Sequence, residues 1–200
     1  MNALSFAAIL SQPIPRGGWD GFWLGKGGAN VVHLEMFGDL VCPDTKLAHP
    51  TMKAVMAHYG DKLAYGLHRF PLPYHHNAFY AWQAGGVIDA MPPKAGVSRV
   101  WEWVDAWFGD TYPNQANFTN GATADFSANL VTAKLATMAY STVGISAKDF
   151  TDGMAYDGVF DEANRASWKY GCSRGVSGTP TFMLNGVPID ADPAWKLSDW

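Results

Sequence analysis

Apolar and β-branched residues form two short runs in the first 73 residues, with an amphipathic segment between them. Residues 31–37 are apolar nearly throughout and predict a buried strand. From Pro43 to Gly60, apolar residues recur every three to five positions, as in a helix with one buried face. Residues 62–70 predict a second strand, which a Pro-Leu-Pro sequence ends. This order predicts a βαβ unit whose two strands are parallel.

The middle of the chain has a helical pattern, and its last part predicts a hairpin. Four helices are predicted over 77–90, 97–108, 123–143 and 147–156, and another over about 160–170. Residues 181–184 and 187–189 are apolar, and the Asn-Gly between them is a strong hairpin signal. A further short strand is predicted within residues 20–25.

The element order predicts an α/β fold: β-α-β, then a β-hairpin and helices, with a helical insertion of about four helices. The expected units are an N-terminal arm (1–30), a sheet domain (31–73 and 157–200) and an inserted helical subdomain (74–156). The insertion is expected to belong to the same domain, because the chain enters it from the sheet and returns to complete that sheet.

Composition excludes several classes of function. The chain has 200 residues, of which 48% are hydrophobic and 14% aromatic, which is enough for one substantial core. Its 14 basic and 18 acidic residues show no basic run, so no nucleic-acid partner is expected. No apolar run approaches the roughly 20 residues of a membrane-spanning helix. No trio of His, Asp or Glu has metal-ligand spacing, so no metal is expected.

Cys42 is the first residue that indicates chemistry. It follows the first strand and opens the predicted helix, next to Pro43. The N–H groups and the dipole at a helix start favour negative charge, so a thiol there loses its proton more easily and becomes a better nucleophile. The alternative is a small buried hydrophobic residue, which a single free cysteine often is. A redox role predicts that Cys42 is exposed.

A second motif, Gly-Thr-Pro-Thr-Phe at residues 178–182, places a proline at the start of a strand. A cis bond before Pro180 would fit this position, and a trans proline on an edge strand is the alternative. Together with Phe-Gly-Asp-Leu-Val-Cys-Pro at residues 37–43, this motif resembles the DsbA-like branch of the thioredoxin superfamily. The resemblance extends from about Val31 to Ile189. The turn is most similar to that of plant and algal thioredoxin-like proteins with Cys-Pro-Asp-Ser/Thr.

The resemblance implies a thioredoxin fold and roles for individual residues. In that family the first cysteine of a pair attacks the substrate, and the second resolves the mixed disulfide. The cis-proline loop lies beside the first sulfur and helps to hold the substrate chain extended. The residues implied here are a catalytic Cys42, an active-site turn of Pro43, Asp44 and Thr45, and a cis-proline loop of Thr179 and Pro180. Thr45 departs from the pattern, because its hydroxyl cannot form the internal disulfide.

Other residues near this turn in sequence or fold have two interpretations each. The charge of Asp44 stabilises the helix start but opposes a thiolate at Cys42. His75 and His76 follow the second strand, where a histidine could stabilise the thiolate or act as a base, or simply face solvent. Cys172 would need its Cα within about 7 Å of that of Cys42 to form a disulfide; a partly buried structural thiol is the favoured interpretation.

Three functions follow from these residues. The first is a monothiol thiol oxidoreductase, in which Cys42 forms mixed disulfides with protein thiols or with glutathione as co-substrate, and no cofactor is bound. The second is a redox-inactive binding or assembly subunit with a protein complex partner. The third is a glutathione-dependent transferase or isomerase. The sequence leaves the compartment open, with the secretory pathway or an organelle favoured over the cytoplasm.

Overall fold

A mixed sheet of five strands forms the centre of the fold. The computed structural model describes residues 20–25, 31–111 and 113–200, so much of the expected N-terminal arm lies outside the described residues. The strands are β1 (Phe22–Leu24), β2 (Val32–Gly38), β3 (Leu63–Arg69), β4 (Thr181–Leu184) and β5 (Val187–Ile189). Their order across the sheet is β1-β3-β2-β4-β5. The central strands β2 and β3 are parallel, as predicted, and every other pairing is antiparallel.

Six α-helices accompany the sheet in the described part of the chain. They are α1 (Pro43–Tyr59), α2 (Ala78–Asp89), α3 (Val100–Phe108), α4 (Ala128–Val143), α5 (Ala147–Gly153) and α6 (Val159–Ser173). Helices α2 to α5 form the predicted insertion. Helix α4 begins later than predicted because the Ser127 side chain accepts from Leu130 N and caps it there. Beyond β5, residues 190–200 contain only a 3-10 turn, Leu197–Asp199.

The two faces of the sheet are buried by different helices, because side chains alternate along each strand. On one face, Leu34 and Met36 of β2 join the main core with Met52 of α1 and the insertion. On the other face, Phe37 packs with Tyr170 of α6. A side chain at Gly171 would collide with the Phe70 ring, so this glycine allows α6 to lie close to the sheet.

A buried ionic cluster fixes the α6 face of the sheet. His68 Nδ1 lies 2.8 Å from Asp20 Oδ2, and its Nε2 lies 3.0 Å from Glu35 Oε2. The hydroxyl of Ser167 donates to Asp20. All four residues are buried. The cluster therefore links β2, β3 and the segment before β1, and Ser167 joins it to α6 through Asp20.

The ionisation of these groups is coupled. Burial works against the charged form of His68, but the hydrogen bonds to both carboxylates outweigh burial and raise its pKa above the ordinary value. Burial also works to raise the pKa of Asp20 and of Glu35, yet the hydrogen bond and charge of His68 leave both below their ordinary values. These directions favour the form in which an imidazolium lies between two carboxylates.

Within residues 20–25, 31–111 and 113–200, no helix has the length and apolar character needed to cross a bilayer.

Candidate functional site at the start of helix α1

Cys42 occupies the N-cap position of α1, directly before Pro43 at the first helical position. Proline is favoured there because its missing N–H would have no partner inside the helix. The thiol Sγ lies 3.3 Å from the carbonyl oxygen of Thr179 and donates to it. Cys42 is only 4% exposed, so the expectation of an exposed cysteine is wrong. The thiol is held against the opposite loop, which covers it.

The loop opposite Cys42 contains the second sequence motif. The Thr179–Pro180 peptide is cis, the first of the two conformations considered for this motif. Strand β4 begins at Thr181, which pairs with Phe37 near the end of β2. This register brings residues 179–180 to the edge of the sheet where β2 leads into Cys42. The buried hydroxyl of Thr179 has no hydrogen-bond partner.

Asp39, three residues before Cys42, is the buried polar centre of the turn. Its Oδ1 accepts from Val41 N at 2.7 Å, and its Oδ2 accepts from Leu72 N and from His75 Nδ1, each at 2.8 Å. Asp39 is fully buried. Burial raises the pKa of Asp39 above its ordinary value, although these hydrogen bonds act in the opposite direction.

Of the two candidate histidines, the structure ties only His75 to the turn. Its bond to Asp39 connects the loop after β3 to the residue that begins the active-site turn, and its side chain is 18% exposed. His76 is exposed and lies in the same loop, held through its backbone N–H by Asn120 Oδ1. His75 is therefore the histidine whose orientation the site controls.

Thr45, at the resolving-cysteine position, is fully buried. Its Oγ1 accepts from the backbone N–H of Asp39 at 3.3 Å, which closes the turn on its inner side. Its methyl group approaches Gly38 so closely that a Cβ there would lie 2.9 Å away. Thr45 thus has a structural role in the turn, whereas Pro43 and Asp44 face solvent.

The helical insertion contributes contacts that sequence reasoning missed. Gln115 is buried, and its Nε2 donates to Leu40 O at 2.8 Å and to Cys42 O at 3.0 Å. Trp107 Nε1 also donates to Leu40 O, and Trp82 Nε1 donates to Gly38 O at 2.9 Å. These side chains donate to carbonyls of the active-site turn and tie it to the insertion. The insertion therefore holds the turn in place.

Cys172 lies away from any partner sulfur. Both cysteines are free, and Cys172 is exposed near the end of α6, where a partly buried thiol was expected. Partial desolvation raises the pKa of the Cys172 thiol. No disulfide joins it to Cys42. The residues described also contain no group of three or more His, Cys, Asp or Glu arranged to hold a metal ion.

The sheet, the insertion and the cis-proline loop opposite Cys42 form a thioredoxin fold with a helical insertion, the fold of solved DsbA-like structures. Similar solved structures come from bacteria. A candidate protein-disulfide isomerase from Pseudomonas syringae matches with a TM-score of 0.68 at 18% identity, over 90% of this chain and 96% of that one. BdbD from Bacillus subtilis matches with a TM-score of 0.64 at 17% identity, over 88% and 90%.

A third similar structure is MdbA, a thiol-disulfide oxidoreductase from Corynebacterium diphtheriae, with a TM-score of 0.64 at 12% identity over 86% of this chain and 85% of that one. At such identities the likeness establishes the fold. No protein-family model and no curated protein matches the chain.

Proposed function

We propose that the protein is a thiol oxidoreductase of monothiol type, in which Cys42 forms mixed disulfides with protein thiols or glutathione. The observation that carries this proposal is the placement of the Cys42 sulfur at the N-terminus of α1, 3.3 Å from the carbonyl before cis-Pro180. The fold shared with the thiol-disulfide oxidoreductase from Corynebacterium diphtheriae supports it.

The proposed reaction is thiol–disulfide exchange in two steps. The Cys42 thiolate attacks one sulfur of a substrate disulfide; a bond forms to that sulfur, the substrate S–S bond breaks, and the other sulfur leaves as a thiolate that takes up a proton. A second thiol, from glutathione or a protein, then attacks the bound substrate sulfur. A new disulfide forms between the second thiol and the substrate sulfur, the bond to Cys42 breaks, and Cys42 leaves as a thiolate. Thr45 plays no redox part in either step.

His75 is the proposed proton carrier for this exchange. Because its Nδ1 donates to Asp39, the neutral imidazole has Nε2 as its basic nitrogen. The proton that Cys42 gives up and the leaving thiolate takes up would pass through this nitrogen. Asp39 acts as a positioning residue, since it sets the tautomer and the direction of the ring.

The test uses oxidised glutathione on a Cys172→Ser variant, which leaves Cys42 as the chain's single thiol. Intact mass spectrometry should show one glutathione per native chain, removed by dithiothreitol. The matched control, Cys42→Ser with Cys172→Ser, should show none. An adduct that forms only after unfolding in urea would contradict the proposal.

A second function, binding without redox chemistry, is favoured by the burial of Cys42 and the hydrogen bond that its thiol donates to Thr179. In that case a native chain resists glutathione, and Cys42→Ala leaves partner binding intact. A glutathione-dependent transferase or isomerase, the closeness to plant and algal thioredoxin-like proteins, and a location in the secretory pathway or an organelle stay predictions.

A further inference from the structure

A cavity that Cys42 does not line lies between helices α1 and α3 and the β1–β3 side of the sheet. It has a volume of about 180 Å³. Its walls are mainly apolar side chains of the main core or of residues packed on it. They are Leu24, Met52, Met56 and Tyr65. An apolar cavity of about 150 Å³ is large enough for benzene, so a molecule with one aromatic ring fits this volume.

Two polar atoms in the walls of this cavity lack hydrogen bonds. Nδ1 of His49 and Nε1 of Trp101 are both buried, and neither has a partner. The whole His49 residue is only 5% exposed. A buried polar group without a hydrogen-bond partner lowers the free energy of unfolding. Two such atoms in the walls of one cavity therefore usually indicate a water or ligand that binds there.

The hydrogen-bonding roles of these atoms define the complementary group. His49 Nε2 lies 2.8 Å from Asp105 Oδ1 and donates to it, so the neutral ring presents Nδ1 as an acceptor. Trp101 Nε1 is a donor only. A ligand that satisfies both atoms must therefore donate to His49 and accept from Trp101, and a hydroxyl group has both capacities.

The mouth of the cavity favours an uncharged ligand. Lys53 Nζ lies 2.8 Å from Asp105 Oδ2, and both side chains are about half exposed at the cavity mouth. With the His49 bond, the Asp105 carboxylate is fully engaged by these two partners. The charges of Lys53 and Asp105 are thus already paired with each other.

Water alone is a poor occupant. Several waters would be needed to fill the volume, and each ordered water needs two to four polar partners. The walls offer two unpartnered atoms, and the remainder is mostly apolar. We propose that this cavity binds a small, uncharged hydroxylated aromatic molecule, with its ring among the methionines and its hydroxyl between His49 and Trp101. This site does not depend on the redox role of Cys42.

The test compares phenol with toluene, which has the same shape but no hydroxyl, by ligand-observed NMR titration at pH 8. Phenol should bind the native protein about three- to tenfold more tightly than toluene, the effect of roughly one net hydrogen bond. The indole N–H signal of Trp101 should move with phenol and stay in place with toluene. In Trp101→Phe the phenol preference should fall to about one, whereas Trp168→Phe, on a different surface, should retain it.

The proposal is overturned if toluene binds as tightly as phenol, if phenol does not bind, or if the Trp101 indole signal ignores phenol. The NMR signal is read in the unaltered protein, so the result stands even if the Trp101 variant fails to fold.

Discussion

The carboxylate of Asp39 and the imidazole of His75 are joined by a 2.8 Å hydrogen bond beneath the turn that presents Cys42. Asp39 cannot follow the ring if it moves, because the backbone N–H groups of Val41 and Leu72 hold both of its oxygens. The ring therefore has a fixed direction and a fixed tautomer. This arrangement resembles the orienting carboxylate that many catalytic histidines use.

If His75 carries protons for Cys42, replacing it will slow thiol chemistry in a pH-dependent way. We expect His75→Phe, in a Cys172→Ser background, to alkylate at Cys42 roughly a hundredfold more slowly near neutral pH, the low end of general-base effects. The rate of reaction with iodoacetamide between pH 5 and 9 measures this. His76→Phe is the matched control, because it changes an exposed neighbour. An identical pH profile for the His75 variant and the control would rule out the role.

The buried Asp39 carboxyl predicts a specific pH dependence of stability. Its pKa is raised by burial, so the folded chain holds this proton more tightly than the unfolded chain. The stabilisation is complete below the ordinary carboxyl range and is lost as the pH rises through the folded-state pKa. Asp39→Asn has no such ionisation. Its own cost is about 1–3 kcal/mol, since the amide cannot accept from every donor around it.

The free energy of unfolding of both proteins, measured in urea between pH 4 and 8, tests this. The stability difference between native protein and Asp39→Asn should be largest at the acid end and should shrink as pH rises. A difference that grows with pH would show that the carboxylate, and not the acid, is the stabilising form.

The stability contributed by the cluster of Asp20, His68 and Glu35 changes with pH in the opposite direction at acid pH. The carboxyl pKa values are lowered, so their contribution is lost as pH falls below about 4.5, their ordinary range. The His68 pKa is raised, so its contribution is complete below about 6.5 and is lost as pH rises through the folded-state pKa. The cluster stabilises the fold most strongly between these limits.

Removing the cation of this cluster should cost far more than removing the whole cluster. His68→Phe leaves two carboxylates buried together, and we expect a loss of about 3–5 kcal/mol in the free energy of unfolding at pH 6. Adding Asp20→Asn and Glu35→Gln to His68→Phe should recover most of that loss. Urea unfolding of the single and triple variants measures it. Equal stabilities of the single variant and the native protein would mean that the cluster is not ionised.

The contacts from the insertion predict a link between Gln115 and the reactivity of Cys42. Gln115→Leu removes one donor from the carbonyls of Leu40 and Cys42, which keep Trp107 Nε1 and Lys46 N, so we expect a loss of about 0.5–1.5 kcal/mol in stability. It should also speed the alkylation of Cys42, because the turn that contains Cys42 is less firmly held.

A matched control separates these two effects. Gln83→Leu removes an equally buried amide that donates to Ala155 O, far along the chain from the turn. It should lower stability without changing the rate at Cys42. If both variants speed alkylation equally, the cause is general loss of stability rather than release of the turn.

The sequence predicted the parts of this site that are local. Cys42 and Pro43 follow from a strand that leads through a short turn into a helix start. At Pro180 the strand start left cis and trans both open, and the family resemblance implied the cis bond. Gln115 could not be found this way, because it lies 73 residues from Cys42 and no local pattern marks it. The ionic cluster did leave a signal: Glu35 and His68 are ionisable residues inside two buried strands, which require partners.

Restoring the missing cysteine tests which part of the two-cysteine cycle the chain retains. Thr45 is fully buried beside the turn, and its hydroxyl accepts only one long hydrogen bond, from Asp39 N at 3.3 Å. Thr45→Cys changes little in size, so the fold should tolerate it at a cost of about 1 kcal/mol. With Cys172→Ser in the background, this variant should form a disulfide between Cys42 and the introduced thiol on oxidation, and should gain dithiol reductase activity towards insulin. Thr45→Ser controls for the loss of the methyl group and should gain neither. The urea unfolding curve shows whether Thr45→Cys folds. If it folds but both thiols stay free under oxidised glutathione, Cys42 is held too firmly by Thr179 and Gln115 for exchange. That result would favour the binding function.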